Sequence, residues 1–196
     1  MSFQSAKPPK WKAVGGSTTT PVTNKARKEI LIHVPEIILG IHSNVPESAG
    51  FTDGHAWLSV SRDGEITNYG LWPDDHPRII AMGLSDTKKS DIRTGMEDGQ
   101  VSESARYYKL SIKQAATLEM KLKENVRWKY TNTCASWASE TVDSVTGENI
   151  NANDTLGFET PRNVTKSIES LEKIRPTSKR NPKGVPDDAQ AAPSSR

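Results

Sequence analysis

The sharpest pattern of apolar and polar positions runs from His55 to Ser61 (HAWLSVS). Ala56, Leu58 and Val60 fall on one side, and His55, Trp57, Ser59 and Ser61 on the other. This is the period-two signature of a strand. Phe51-Thr52-Asp53-Gly54 precedes it as a turn. Arg62-Asp63-Gly64 folds it into a hairpin whose return strand is Glu65 to Trp72 (EITNYGLW). Upstream, Glu29 to His42 (EILIHVPEIILGIH) is β-rich and interrupted by Pro35, which predicts one bent strand or two short ones. Arg106 to Leu110 is a further strand, and the long polar stretch from Pro73 to about Val101 reads as a loop.

Helical spacing takes over after Leu110. Ser111 is placed to cap a helix, with Gln114 positioned for a capping box, and Ile112, Ala115, Leu118, Leu122 and Val126 mark its buried stripe. Asn132 or Thr133 can cap a second helix that starts beside Cys134, with Cys134, Trp137, Ala138, Thr141 and Val145 on one inward face. Thr160-Pro161 opens a third, with Val164, Ile168, Leu171 and Ile174 facing inward and Pro176 ending it. The predicted class is α+β, a small antiparallel sheet flanked by helices. The loop at 73–101 reads as a solvated insertion, with a specificity loop or lid as the alternative.

Composition trims this picture at both ends. Residues 1–28 and 176–196 are rich in Lys, Pro, Gly, Ser and Thr or lack large apolar side chains, and the whole chain is only 34% hydrophobic. Such stretches bury too little surface to offset their chain entropy, so they are expected to be flexible tails around one domain at 29–175. Charge is nearly balanced, with 26 Lys+Arg against 24 Asp+Glu and a net +2. That argues against nucleic acid or anionic membrane as a partner held by bulk electrostatics. No run approaches the roughly 18 apolar residues of a membrane span. The opening MSFQSAKPPKWKAVGG has no apolar signal region, so synthesis and folding in a reducing cytosol are expected.

The single Cys excludes an intrachain disulfide framework and a Cys-based zinc site. It also stands where a thiol is activated. In the first turn of a helix, the macrodipole and the free N–H groups stabilise thiolate, and the same N–H groups can hold an oxyanion. The competing reading is a packed core cysteine. The base must be His33, His42, His55 or His76. His33 and His42 belong to an apolar strand and fit structural roles, and His76 sits in a polar loop. His55, at the start of a strand, is held rigidly enough to serve a cleft.

Together, Gly54-His55-Ala56-Trp57, Tyr69-Gly70-Leu71-Trp72 and Asn132-Thr133-Cys134-Ala135-Ser136-Trp137 resemble the circularly permuted, NlpC-like cysteine peptidases of the papain-like superfamily. They also resemble the small cell-wall-degrading effectors of bacterial type VI secretion. The resemblance covers roughly residues 29–173. It implies a papain-like fold, Cys134 as nucleophile and His55 as general base. A third, orienting residue is implied on the strand after the His, where Asn68 has the best chemistry and Tyr69 takes its place if the register slips by one. It further implies a peptidoglycan stem peptide as substrate, export by a dedicated secretion apparatus to the periplasm of a target cell, and a periplasmic immunity protein. Trp57, Trp72 and Trp137 are candidate cleft residues, against the commoner core role of Trp. No cofactor is required, and the four His offer no metal-ligand spacing such as His-Glu-x-x-His. Two rivals stay open. One is an acyltransferase or thioesterase of the lecithin retinol acyltransferase type, which should show an apolar tunnel or a membrane-binding helix. The other is a binding module with Cys134 buried.

Overall fold

The computed structural model describes residues 35–50, 53–154 and 157–186. The expected N-terminal tail, residues 29–34 of the first predicted strand and the candidate His33 lie outside them.

The chain forms a six-stranded sheet in the order β4-β3-β2-β1-β5-β6. Its strands are β1 (Ile37–Ser43), β2 (Ala56–Arg62), β3 (Glu65–Leu71), β4 (Ile92–Thr94), β5 (Ser104–Leu110) and β6 (Lys183–Gly184). The helices are α1 (Pro77–Ala81), α2 (Ile112–Leu122), α3 (Cys134–Thr146) and α4 (Pro161–Ile174). This is the expected α+β class. The sheet is mixed, however, because β6 runs parallel to β5 while the other pairings are antiparallel. The β2–β3 hairpin turns on Asp63 and Gly64, both at positive φ (49° and 93°). That is the mirror-image turn whose twist matches the strands.

One face of the sheet carries the apolar core. Leu39 and Ile41 of β1, Leu58 and Val60 of β2, and Tyr108 of β5 meet Trp137, Ala138, Val142 and Val145 of α3 and Val164 and Ile168 of α4. The capping box predicted for α2 is present, and Thr133, one of the two expected caps of α3, forms a second box that the sequence reading does not predict. Ser111 and Gln114 cap α2, and Thr133 and Ser136 cap α3, so Cys134 becomes the first residue of its helix. The predicted stripes overreach at their ends. Ile112 and Ile174 are exposed, because each sits where its helix leaves the sheet.

Two expectations are corrected. The stretch 73–101 is no solvated insertion. It contains α1 and β4, buries Ile79 and Met96 against Trp72, and closes its charges on one another. Asp74 receives Arg93 at 2.5 Å and Arg127 at 2.9 Å, and Asp91 receives the Trp128 N–H at 2.8 Å. The segment read as a C-terminal tail is also used as far as residue 186. Thr177 Oγ1 accepts the Tyr107 N–H at 3.0 Å, Lys183–Gly184 adds the edge strand, and Gln114 donates to the Pro186 carbonyl at 3.0 Å. Backbone pairing on an open sheet edge needs no large apolar side chains, which is why composition hid it.

Arg106 of β5 pins this end of the fold. Its buried guanidinium donates to Glu148 at 2.8 Å, Glu172 at 2.7 Å and the Arg175 carbonyl at 3.0 Å. Removing one partner of such a cluster strands the others without their charge. Arg106→Ala is therefore expected to cost about 3 kcal/mol in a denaturant titration. A loss below about 1 kcal/mol, the worth of a surface ion pair, would contradict this reading. No helix among the described residues is long and apolar enough to cross a membrane.

Candidate active site

His55 precedes β2 directly and is locked by its backbone. Its N–H donates to Asn44 Oδ1 at 2.7 Å and its carbonyl accepts the Asn44 N–H at 3.2 Å, which continues the β1–β2 pairing past the end of the ladder. Cys134 enters from the opposite side at the start of α3. That start is fixed by its cap and by Thr133 Oγ1 donating to the Glu159 carbonyl at 3.0 Å. Both residues line one cleft of about 640 Å³. Cys134 is only partly buried, so its sulfur is not a sealed core atom.

The two side chains set each other's ionisation. Burial acts to lower the His55 pKa, but the charge and hydrogen bond of Cys134, joined by Glu97, outweigh it and raise the value to about 9. Burial acts to raise the Cys134 value. The imidazolium of His55 and the N–H groups of Ala56 and Ala135 overcome this and hold the thiol below its ordinary range. Each shift runs in the direction that favours thiolate and imidazolium over thiol and neutral ring. The N–H of Cys134, at the first position of α3, precedes the intrahelical ladder.

The partner of the ring is not the one expected. Asn68 donates its side-chain amide to Asp98 Oδ1 at 2.8 Å and is committed there. Tyr69 pairs with Leu58 and is partly buried against the apolar core of the first face, so neither residue orients His55. Glu97, in the turn after β4, does. Its buried Oε1 accepts His55 Nε2 at 2.9 Å and the Trp72 indole N–H at 2.5 Å. Nε2 is therefore the donor to Glu97, and Nδ1 is the nitrogen that Glu97 leaves free. Gly70 makes the room. A methyl group there would run into Glu97 Oε1 and lie 2.7 Å from His55 Nε2 and 2.8 Å from Trp72 Nε1.

Of the three candidate tryptophans only Trp72 lines the cleft, where its ring lies 4.2 Å from that of His55. Trp137 is buried in the core, and Trp57 is buried on the second face of the sheet, so neither walls the cleft. The walls are instead Leu71, Pro73, Trp128, Tyr130, Phe158 and Pro161. His76 is not adrift in solvent. It caps α1 by accepting the Arg78 N–H and stacks edge-on against Trp72 at 4.7 Å, at the cleft mouth.

His42 holds the structural role expected for it. Its Nε2 meets Ser59 Oγ at 2.7 Å, and burial, with help from Lys179, lowers its pKa to about 3. An unfolded chain binds a proton at His42 below about 6.5, and the folded one does not until about 3. Folding stability should therefore fall as pH drops through that window. Glu148, lowered to about 2 by its hydrogen bonds to Arg106 and Lys183 against the effect of burial, adds its own loss only below its ordinary 4.5. The Cys134–His55 pair changes its proton count in the same window, so the share of His42 is read from the difference between wild type and a His42 variant. Melting temperatures of wild type and His42→Gln across the window should converge as pH falls, and parallel curves would refute the assignment.

No protein-family model, no curated protein and no solved structure matches the chain.

Proposed function

We propose that the protein is a papain-like cysteine hydrolase that cleaves amide bonds, with the stem peptides of peptidoglycan as its substrate. The observation that carries the reading is a partly buried Cys134 at a helix start, in one cleft with a His55 whose pKa is raised and whose ring is held by a buried carboxylate. The NlpC-like sequence pattern supplies the substrate class and the expectation of an antibacterial effector. Such an effector would be made in the cytoplasm, carried by a secretion apparatus to a target-cell periplasm, and blocked at home by an immunity protein.

The chemistry follows from the pair. The Cys134 thiolate attacks the amide carbonyl, forming the C–S bond while the oxyanion takes the first-turn N–H. The C–N bond breaks as His55 gives its proton to the leaving amine. Neutral His55 then takes a proton from water, the hydroxide adds to the thioester, and the thiolate departs with the imidazolium restored. Glu97 accepts the ring's Nε2 hydrogen bond and fixes its plane. Activity should be flat around neutral pH, and should fall as pH rises through about 9 because the leaving amine loses its acid. On the acid side it should fall as the thiolate is protonated, at a pH below the ordinary thiol value of about 8.5. An alkaline limb near the ordinary His value of about 6.5 would contradict the pairing.

Incubation with purified peptidoglycan followed by mass spectrometry should yield fragments with a new amine and a new carboxyl terminus within the stem peptide. Intact peptidoglycan after incubation with a protein whose Cys134 is alkylatable would overturn the substrate. One observation favours a second reading. The cleft carries an apolar wall of Leu71, Trp72, Pro73, Trp128, Phe158 and Pro161 beside its polar residues, as a thioesterase or acyltransferase requires. Release of free thiol from a fatty-acyl thioester, in place of peptide fragments, would establish that alternative.

A further inference from the structure

Behind His55, on the face of the sheet turned away from α3, three rings lie in parallel. The Trp57 indole stands 5.1 Å from the His42 ring at 11° and 6.1 Å from the His55 ring at 10°. The His55 ring also meets Trp72 at 4.2 Å, tilted by 39°. Each end of this row depends on a glycine. A methyl group at Gly40 would lie 2.5 Å from Ser59 Oγ and 2.8 Å from His42 Nε2, breaking the bond that anchors His42. Gly70 clears the same kind of space for Glu97 and His55. Trp57 is 3% exposed and belongs to neither the cleft nor the apolar cluster under α3. Packing alone asks only for apolar volume here. Parallel rings anchored at both ends ask for a flat π surface.

We propose that Trp57 is a positioning residue for His55, holding the imidazolium against its indole face in the plane from which Nε2 reaches Glu97. The inference rests on the reading of His55 as the acid–base group. An aromatic face attracts a cation at this range, and Trp does so most strongly. Trp57 and Trp72 both lie against the ring, and a protonated ring gains more from these indoles than a neutral one. The groups that face His55 are Cys134 from α3, Glu97 from the turn after β4, Trp72 at the end of β3, with His76 of the α1 cap beyond it, and the neutral Asn44 at the end of β1. His42 backs Trp57 from the far side and must stay neutral to do so, since a second cation there would repel the first through the ring. Its burial and its bond to Ser59 keep it so.

The test is a histidine NMR titration of full-length wild type, Trp57→Phe and Trp57→Leu, run beside their melting curves and pH profiles of hydrolysis. Wild-type His55 should lose its proton near 9. In Trp57→Leu that step should come about one pH unit lower, and the alkaline limb of kcat should move with it while KM holds. Trp57→Phe, with a weaker π face, should move both by less in the same direction. That variant decides the matter if the leucine protein does not fold. Lower melting temperatures with the His55 step and the limb unmoved would make Trp57 a packing residue and overturn the proposal. A wild-type His55 titrating at the ordinary value would instead count against the hydrolase reading itself.

Discussion

Cys134→Ala is expected to abolish peptidoglycan cleavage, by about 10⁴-fold or more, with a melting temperature close to wild type. The side chain is partly exposed at the cleft rather than buried in the core, so its removal opens no large cavity. The helix keeps its own cap at Thr133 and Ser136. His55→Ala should lose a comparable factor, because the ring both stabilises the thiolate and protonates the leaving amine. The double variant should be no worse than either alone, since nucleophile and acid act as a unit. Fragment yields quantified by mass spectrometry decide the matter, and additive losses would mean that the two residues serve separate steps.

The second large effect is expected at a residue with no side chain. Gly70→Ala inserts a methyl group among Glu97 Oε1, His55 Nε2 and Trp72 Nε1, three atoms already joined by hydrogen bonds. The surrounding atoms cannot retreat freely, because Glu97 and His55 are buried and the β2–β3 ladder fixes the backbone. A displacement of about 1 Å in a catalytic group costs about 10²-fold in rate, so kcat should fall by that order. Glu97→Gln keeps an acceptor for the indole while removing the charge beside the imidazolium. It should lower the alkaline limb and spare the fold. If Gly70→Ala retained full activity, Glu97 would not be the group that holds His55.

These residues differ in how far the chain betrays them. Cys134 and His55 are marked by local signals: a capping residue in front of one, a strand start and a Gly54 turn in front of the other. The strands and helices around them follow from apolar spacing because one face of each meets the core. Glu97 carries no such mark. It lies in a short turn flanked by Gly95 and Gly99 (GMEDG), inside a stretch whose Asp and Arg residues look solvent-facing because their partners are far away in sequence. Arg127, which closes on Asp74, is one such partner. The glycines are the only local sign that the backbone makes a tight turn there, both at positive φ (75° and 80°). The resemblance implies an orienting residue on the adjacent strand, where Asn68 has suitable chemistry, but Asn68 is taken by Asp98. Alternation in β2 likewise implies a solvated second face. Instead Trp57 and Ser59 are covered there, because His42 and Tyr107 of the neighbouring strands pack on the same side.

The cleft walls were legible only in part. Trp72 was expected from the hairpin, whereas Trp128, Tyr130 and Phe158 stand in irregular segments where no period places them. Trp128 is set by its N–H bond to Asp91 and by its edge-on contact with Tyr130 at 5.2 Å. Both depend on tertiary folding.

The central claim is that His55 keeps Cys134 as a thiolate, and alkylation of Cys134 by iodoacetamide as a function of pH tests it most directly. Labelling, located by mass spectrometry, should persist well below the ordinary thiol value of about 8.5 in wild type and should return toward that value in His55→Ala. A rate that titrates at the ordinary value in both proteins would contradict the account.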